Sequence, residues 1–262
     1  MAKFDKYEQG TPSWIEHSSS DQGASKEFYG RLFGWDFDDN PMTGDDGEDM
    51  GTYSIATIEG DSIAGLGPVM EDGVPPSWGV YLATDDVDAA VGQAQEAGGQ
   101  VLAGPMDVPE QGRMAWVSDP TGAAVGLWQE QGFAGSQRAN EHGTNIWNEL
   151  VTPDFAKAAP FYAATLGMGT EQQDMPDGSG VYSMLTVGGR TVAGSMTPQV
   201  AGVPPHWNVY FNVDDVDAAV AKAKDLGAQE IHPAFDVEGI GRMAVLADPQ
   251  GAAFNLMQNP PG

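Results

Sequence analysis

The sequence predicts an α+β fold in which one domain occurs twice along the chain. PPSWGVY at 75–81 returns as PPHWNVY at 204–210, and DDVDAAV at 85–91 returns unchanged at 214–220. Both pairs are 129 positions apart (204 against 75, and 214 against 85). A constant offset through strand-like and helix-like segments indicates that a whole fold was duplicated. We predict two tandem domains, each made of two βαβββ modules that form a curved sheet with a cleft.

The boundary between the copies is predicted in the stretch QEQGFAGSQRANEHG at 129–143. This stretch is polar, contains glycine and lacks hydrophobic periodicity. Each copy then has the ordinary size of a domain, about 100–150 residues. The sequence therefore predicts a first domain over 1–132 and a second domain over 140–262.

Each copy opens with a strand and a helix. PSWIEHS at 12–18 alternates apolar and polar residues, which predicts a strand. The helix that follows has Ser20 or Asp21 as its N-cap and Gly34 as a left-handed stop. Asp154 and Gly167 hold the equivalent places in the second copy.

The later elements of each copy are a hairpin, a strand, a second helix and closing strands. The hairpins are predicted to turn at Glu59-Gly60 and at Gly188-Gly189. DDVDAAV begins an acid-capped amphipathic helix, and an Asp-Pro-x-Gly turn leads into the last strand. Short helices should therefore cover one face of each sheet and leave a cleft on the other.

The composition is typical of a globular protein and excludes several classes of function. Hydrophobic residues make up 41% of the chain, which suffices for a core in each half. No apolar run approaches the roughly 20 residues needed to cross a bilayer. The start, MAKFDKYEQG, lacks the apolar segment of a signal peptide. We therefore expect a cytoplasmic protein without a membrane partner. The absence of cysteine excludes disulfides and thiolate chemistry.

The charge balance is strongly acidic, with 11 Lys and Arg against 38 Asp and Glu, for a net charge of −27. A field of this sign repels phosphate backbones, so nucleic acid is not expected as a partner. The acidity is also typical of a well-hydrated, soluble surface or of a saline cytoplasm. Two of the few cations, Arg113 and Arg242, recur in Gly-Arg-Met. We predict ion pairs with Asp119 and Asp248, and contact with an anionic substrate is the alternative.

Four motifs carry a resemblance to a known family. FYGRLFGW, DDVDAAV, GRMA and DPTGAAVGLW resemble the vicinal-oxygen-chelate superfamily of glyoxalases, bleomycin-resistance proteins and extradiol dioxygenases. The resemblance covers nearly the whole chain. With WIE and WNE in its first strands, the chain looks most like two-domain actinobacterial glyoxalase-like proteins, some of which are labelled hydroxylases. The superfamily contains metalloenzymes and metal-free drug binders, so the resemblance implies the fold and leaves the activity open.

The resemblance also implies where metal ligands would lie, on the inner strands of each cleft. The matching positions of the first copy are Trp14, about Gly65, Gly79 and Gly126. Those of the second copy are Trp147, about Gly194, Asn208 and Asn255. None is a histidine or a carboxylate, so we predict a metal-free cleft and no cofactor. A divalent metal held by His206 with Glu149 stays open as an alternative.

Strand alternation predicts which side chains line the two clefts. In the first copy Trp14, Tyr81 and Trp128 form an aromatic trough with Glu16, and glycines provide space. Such a trough suits a planar or cationic organic ligand, through contacts of about 0.5–2 kcal/mol each. The alternative is that these tryptophans are ordinary core. The second cleft is predicted to be more polar, with Trp147, Glu149, Asn208, Tyr210, Asn255 and Met257.

Glu16 and Glu149 are the candidate acid–base groups. A carboxyl group beside a tryptophan in a partly dry cleft has a raised pKa, which suits proton transfer near neutral pH. The alternative is a structural carboxylate bonded to a tyrosine hydroxyl or to a backbone amide. Both copies keep the glutamate, which fits either interpretation.

These residues together predict a metal-free protein that binds a small organic molecule in one or both clefts. By resemblance, this role is similar to that of bleomycin-resistance proteins, which sequester drugs. The sequence leaves open an enzyme, an isomerase, lyase, hydroxylase or dioxygenase that uses Glu16 or Glu149. It also leaves open a non-catalytic interaction protein. Four modules in one chain predict a monomer or a homodimer.

Overall fold

The structure is a computed structural model that describes residues 3–43, 47, 49–71, 73–175 and 180–260. Within these ranges the chain forms four helices and two eight-stranded sheets. No helix in the described ranges combines the length and the apolar character needed to span a membrane. The duplicated α+β architecture predicted from the repeat is confirmed. The exact domain boundary stays a prediction.

The first copy contains one sheet and two helices. Its strands are β1 (Pro12–Ser19), β2 (Asp36–Thr43), β3 (Asp49–Ile58), β4 (Asp61–Pro68), β5 (Ser77–Ala83), β6 (Gln100–Val108), β7 (Gly112–Ser118) and β8 (Ala124–Glu130). Its helices are α1 (Gln22–Phe33) and α2 (Val87–Glu96). The strand order is β2-β3-β4-β1-β5-β8-β7-β6, so the first strand of each module lies at the centre.

The second copy repeats this arrangement. Its strands are β9 (Asn145–Val151), β10 (Gly169–Asp174), β11 (Val181–Val187), β12 (Arg190–Met196), β13 (His206–Asn212), β14 (Gln229–Val237), β15 (Gly241–Ala247) and β16 (Ala253–Gln258). Its helices are α3 (Phe155–Leu166) and α4 (Val216–Asp225). The strand order, β10-β11-β12-β9-β13-β16-β15-β14, matches that of the first sheet position for position.

Local sequence signals account for the ends of the helices. Each helix begins after an aspartate whose carboxylate accepts a first-turn amide: Asp21, Asp86, Asp154 and Asp215. Such caps contribute about 1 kcal/mol each. Gly34 and Gly167 end α1 and α3 with φ of 78° and 68°, which only glycine adopts without strain. The predicted caps and stops are confirmed.

The two hairpin turns are also where the sequence places them. Glu59 and Gly60 have φ of 53° and 82°, and Gly188 and Gly189 have φ of 56° and 76°. Two consecutive residues with positive φ form the turn whose twist matches paired strands. These turns fix the pairing of β3 with β4 and of β11 with β12.

The hydrophobic core runs through both copies as one body. Helix α1 lies against α4, and α2 lies against α3, on the faces of the sheets away from the clefts. Phe33 and Trp35 of the first copy contact Phe211 of the second, with ring centroids 5.0 and 5.6 Å apart. Trp78 and Trp207 are buried here. The prediction of a core for each half is therefore too simple, because the halves share one.

Two buried hydrogen-bond networks join the copies. In one, Trp207 donates to the Tyr162 hydroxyl (3.1 Å), which donates to Asp119 of the other copy (3.2 Å). In its counterpart, Trp78 donates to Tyr29 (2.9 Å) and Tyr29 donates to Asp248 (3.0 Å).

Only the second network contains a histidine. The fully buried His17 ring contacts Asp248 through Nε2 at 2.9 Å. Burial opposes ionisation of Asp248, but His17 and two backbone amides hold the pKa of its carboxyl below the ordinary value. The prediction that Arg113 and Arg242 pair with the turn aspartates is wrong, because these aspartates accept hydrogen bonds from buried tyrosines instead.

Candidate functional site

The first cleft is built around Glu16 at the centre of the first sheet. Tyr53 on β3 donates its hydroxyl to Glu16 at 2.8 Å, and the Tyr81 hydroxyl on β5 lies 3.4 Å away. The indole of Trp14 donates to the Tyr53 hydroxyl at 2.9 Å. Glu16 is therefore a hydrogen-bonded carboxylate, as one of the two sequence interpretations expected.

The glycines of the first cleft make room for the protein's own rings. A Cβ atom at Gly79 would overlap the ring of Trp116, and one at Gly126 would overlap Tyr81. Trp116 donates to the Tyr81 hydroxyl at 2.9 Å, which holds both rings across the cleft. The glycines therefore do not leave open space for a ligand, contrary to the sequence expectation.

Phe133, in the stretch between the two copies, covers the same cleft. Phe133 contacts Trp14 edge-on, with ring centroids 4.9 Å apart, and its carbonyl accepts from the Trp128 indole at 2.7 Å. Trp14, Tyr81 and Trp128 are all buried in this small aromatic cluster. The three side chains that were predicted to contact a ligand in the first cleft therefore pack against each other and against Phe133.

The second cleft has the same central group of a tryptophan, two tyrosines and a glutamate, which we call the Trp–Tyr–Glu frame. Tyr182 on β11 donates to Glu149 at 2.7 Å, and Tyr210 on β13 donates to its other oxygen at 2.8 Å. The Trp147 indole donates to the Tyr182 hydroxyl at 3.1 Å. Glu149 is 4% exposed, whereas Glu16 is only half-buried.

The filling of the second cleft differs. Val245 stands at the position of Trp116, and Met257 at that of Trp128. Within the described ranges no ring covers Trp147 as Phe133 covers Trp14, and Trp147 is half-buried. Half-buried methionines also lie on the cleft face of the surrounding strands: Met184, Met243 and Met257.

Two amide side chains replace the glycines of the first cleft. Asn255 on β16 is buried and donates to the Val209 carbonyl at 3.1 Å, which leaves its own amide oxygen without a donor among the described residues. Asn208 lies directly opposite Glu149 on β13. Its amide oxygen contacts His206 Nε2 at 3.1 Å.

Burial sets the acidity of both central carboxyl groups. Loss of hydration raises the pKa of Glu149, and hydrogen bonds from Tyr182 and Tyr210 oppose this effect. Burial likewise raises the pKa of Glu16. The tyrosine hydroxyls have pKa values raised by burial and by the adjacent carboxylate, so they act as neutral donors.

The register of the sheets corrects the position of the glutamates. Glu16 pairs with Gly65 on one side and Gly79 on the other. The glutamate, and not Trp14, therefore lies in line with the glycines that were placed at the family's metal positions. Glu149 likewise lies between Gly194 and Asn208.

The side chains of the clefts do not fit a divalent transition metal. A Cβ atom at Gly65 or Gly194 would overlap a tyrosine hydroxyl, so these positions have no room for a ligating side chain. Glu149 is the one carboxylate of the second frame, and tyrosine hydroxyls occupy both of its oxygens. Among the described residues no group of three His, Asp or Glu is arranged to hold a metal. His206 with Glu149 therefore supplies too few donors.

The residues predicted from the sequence fall into two groups. Trp14, Glu16, Tyr81 and Trp128 meet in the first cleft. In the second cleft the predicted residues that come together are Trp147, Glu149, Asn208, Tyr210, Asn255 and Met257. The sequence interpretation missed Tyr53 and Tyr182, although both copies place a tyrosine at the same point of the hairpin.

The repeated arginines lie outside both clefts. Arg113 pairs with Asp88 at 2.8 Å and with Asp107 at 2.7 Å. Arg242 makes the equivalent pairs with Asp217 and Asp236, at 2.9 and 3.1 Å. They join a helix to two strands at the surface.

Comparison with protein families matches each copy separately. Residues 12–127 match the Glyoxalase/Bleomycin resistance protein/Dioxygenase superfamily, and residues 148–257 match a glyoxalase-like domain. The chain is 46% identical to "Putative glyoxylase CFP32" of Mycobacterium tuberculosis (strain CDC 1551 / Oshkosh), over 100% of this chain and 99% of that protein. It is 36% identical to "Anthracycline biosynthesis protein DnrV" of Streptomyces peucetius, over 97% of this chain and 94% of that protein.

Solved structures share the fold at low sequence identity. The Mn(II)-bound glyoxalase from Novosphingobium aromaticivorans aligns with a TM-score of 0.64 at 17% identity, over 96% of this chain and 82% of that one. The 2,3-dioxygenase LapB from Pseudomonas sp. KL28 aligns with a TM-score of 0.65 at 15% identity, over 97% and 94% of the two chains.

Proposed function

Because the chain belongs to the glyoxalase/bleomycin-resistance/dioxygenase superfamily, we propose that it binds a small, flat organic molecule in its second cleft. One observation carries this proposal: the two copies share the Trp–Tyr–Glu frame, yet among the described residues the protein's own rings pack only the first cleft. Trp116 and Phe133 fill the first cleft, whereas Val245 and a half-buried Trp147 line the second.

The lining of the second cleft favours an aromatic ligand. Thioether sulfurs make favourable contacts with aromatic rings, of about 0.3–1.5 kcal/mol each, and adapt to irregular shapes. Met184, Met243 and Met257 supply three such groups, and Trp147 supplies an indole face. The free amide oxygen of Asn255 adds one acceptor that would orient a hydroxyl or amino group of the ligand.

Charge and similarity narrow the ligand class further. The carboxylate of Glu149 and the net charge of −27 disfavour an anion, so the ligand is neutral or cationic. The relative DnrV is named for anthracycline biosynthesis, and anthracyclines are fused-ring aromatic compounds. This name supports the same class of ligand for the present chain.

Isothermal titration calorimetry with an anthracycline and with acridine orange tests the proposal. We expect Trp147→Ala to weaken binding about tenfold or more, which corresponds to about 1.4 kcal/mol. The matched variant Trp14→Ala should change affinity by less than about twofold, because its ring lies under Phe133. Equal losses in both variants, or preference for an anionic naphthalene sulfonate of similar size, would contradict the proposal.

A second candidate function is acid–base catalysis by Glu149. The observation that favours it is a buried carboxyl group with a raised pKa at the floor of the same cleft. Incubation of the bound probe in D2O, followed by NMR, tests this role. Deuterium incorporation by the wild type and not by Glu149→Gln would establish an enzyme, and its absence with intact binding would leave a binding protein.

A further inference from the structure

A cavity of about 320 Å³ is lined by both copies, where their first strands begin. Its apolar lining comes from the segment before β1, from β1 and β4, and from β9 and β12: Phe4, Ile15, Ile63, Ile146 and Val192. Trp14 and Trp147, one from each Trp–Tyr–Glu frame, border it as well. The volume lies within the range of small-molecule sites, which is about 300–1,000 Å³.

The segment before β1 forms one side of this cavity and is held in place by hydrogen bonds. The rings of Phe4 and Tyr7 stack, with their centroids 6.0 Å apart. The Phe4 amide donates to the Gln137 carbonyl at 3.0 Å, and the Tyr7 hydroxyl donates to the Ser136 carbonyl. Both carbonyls belong to the stretch between the copies, so this side of the cavity is anchored to the rest of the protein.

Most polar side chains of the lining already have partners within the protein. Asn145 and Asn148 each donate to the amide oxygen of the other, at 3.2 and 2.9 Å. Arg190 pairs with Glu8, so its charge is balanced. A strongly polar or charged ligand would lose hydration here and find few free partners, which is unfavourable. The lining therefore suits a neutral molecule with a mainly apolar body.

Thr11 adds one polar group that has no such partner. Its hydroxyl oxygen is buried and makes no hydrogen bond to any described residue, and Thr11 belongs to the lining of the cavity. A buried hydroxyl group without a partner is unfavourable and uncommon in folded proteins. A ligand hydroxyl group that bonds to Thr11 would satisfy it.

We propose that this cavity binds a neutral, mainly apolar molecule with one hydroxyl group, which bonds to Thr11. The proposal does not depend on the proposed function of the second cleft, and the two linings can be told apart. Among the described residues the cavity is lined by isoleucines and by no methionine: Ile15, Ile63 and Ile146. The second cleft has instead the three methionines named above.

NMR of protein with labelled isoleucine and methionine methyl groups, titrated with 2-naphthol, tests the site. This probe is neutral at neutral pH and has an aromatic body with a single hydroxyl group. We expect saturable shift changes at the Ile146 methyl group, together with nuclear Overhauser contacts to the naphthol ring. Ile146→Val assigns this signal, and the signal of exposed Ile231 should not change. The methionine signals report separately on the second cleft.

Thr11→Val tests the hydroxyl contact. Valine has nearly the same shape, and the Thr11 hydroxyl has no partner to lose, so the midpoint of thermal unfolding should not fall. The affinity for 2-naphthol, measured at Ile146, should fall about fivefold through the loss of one hydrogen bond.

The outcomes separate this site from the second cleft. An Ile146 signal that 2-naphthol leaves unchanged, or equal affinity in folded Thr11→Val protein, would overturn the proposal. Changes at the methionines alone would overturn it while supporting the proposed function. Changes at Ile146 without changes at the methionines would support this site and count against the proposed function.

Discussion

The two copies share one frame and differ in what fills it. Each has a central glutamate that accepts from tyrosine, and a tryptophan that donates to the hairpin tyrosine. In the first copy Gly79 lies beneath the ring of Trp116, and the second copy has Asn208 and Val245 at these two positions. The first cleft is therefore packed with rings, whereas Val245 and Met257 hold the equivalent places in the second.

The geometry around the two glutamates follows from the replacement of Gly126 in the first copy by Asn255 in the second. Gly126 lets the Tyr81 ring lie against β8, where its hydroxyl accepts from Trp116 and stands 3.4 Å from Glu16. Asn255 occupies that place in the second copy, and the Tyr210 hydroxyl lies 2.8 Å from Glu149. Glu149 is consequently the more firmly bonded and more buried of the two carboxylates.

Transferring the filling of the first cleft into the second should have the largest effect. The double variant Asn208→Gly/Val245→Trp recreates the Gly79–Trp116 pair and should fill the second cleft with an indole. We expect anthracycline binding to weaken at least about a thousandfold, or about 4 kcal/mol, in calorimetry. Asn208→Gly alone is the control and should retain binding. Undiminished affinity in the double variant would place the ligand elsewhere.

The two buried networks between the copies should contribute differently to the stability of the fold, because only the Asp248 network contains a histidine. Asp248→Asn removes the charged partner of buried His17 and should destabilise the fold by about 3 kcal/mol in urea unfolding. Asp119→Asn, in the network without a histidine, should cost about 1–2 kcal/mol. Equal costs would show that His17 adds nothing to the second network.

The pairing of Asp248 with His17 also predicts that the stability of the fold is sensitive to acid. The folded pKa of Asp248 lies below its unfolded value, which is about 3.9. Ionised Asp248 therefore stabilises the fold above that pH, and the contribution is lost as the pH falls through the folded pKa. Unfolding followed by circular dichroism should depend less steeply on pH below about 4 in Asp248→Asn than in the wild type.

Opening the first cleft is the converse test, with a smaller expected effect. Gly79→Asn/Trp116→Val installs the residues of the second cleft, so calorimetry should show two binding sites for each chain instead of one. We expect the new site to be about tenfold weaker, because Phe133 still covers Trp14. An unchanged stoichiometry in a folded variant would mean that Phe133 alone closes the first cleft.

The surface pairs should show the smallest effect and no difference between copies. Arg113→Ala and Arg242→Ala each remove exposed ion pairs and should cost less than about 1 kcal/mol. Thermal unfolding in low and high salt checks this expectation. Unequal costs would indicate a packing difference between the copies at this place.

Much of the fold could be predicted from the sequence because its signals are local. Aspartate caps, glycine stops and two-residue turns act within a few residues of chain, so Asp21, Gly34 and the Glu59-Gly60 turn were all identifiable. Strand alternation placed Trp14 and Glu16 on one face for the same reason. The repeat itself established the number of copies and the order of their elements.

The state of each cleft was decided only by tertiary structure. Whether Gly79 leaves a cavity depends on Trp116, which is distant in sequence and reaches it across the curved sheet. Asp119 and Asp248 accept from tyrosines of the opposite copy, which no local pattern around the aspartates indicates. Local periodicity fixes the face on which a side chain lies. The space that remains there is set by the volumes of side chains brought together from remote strands.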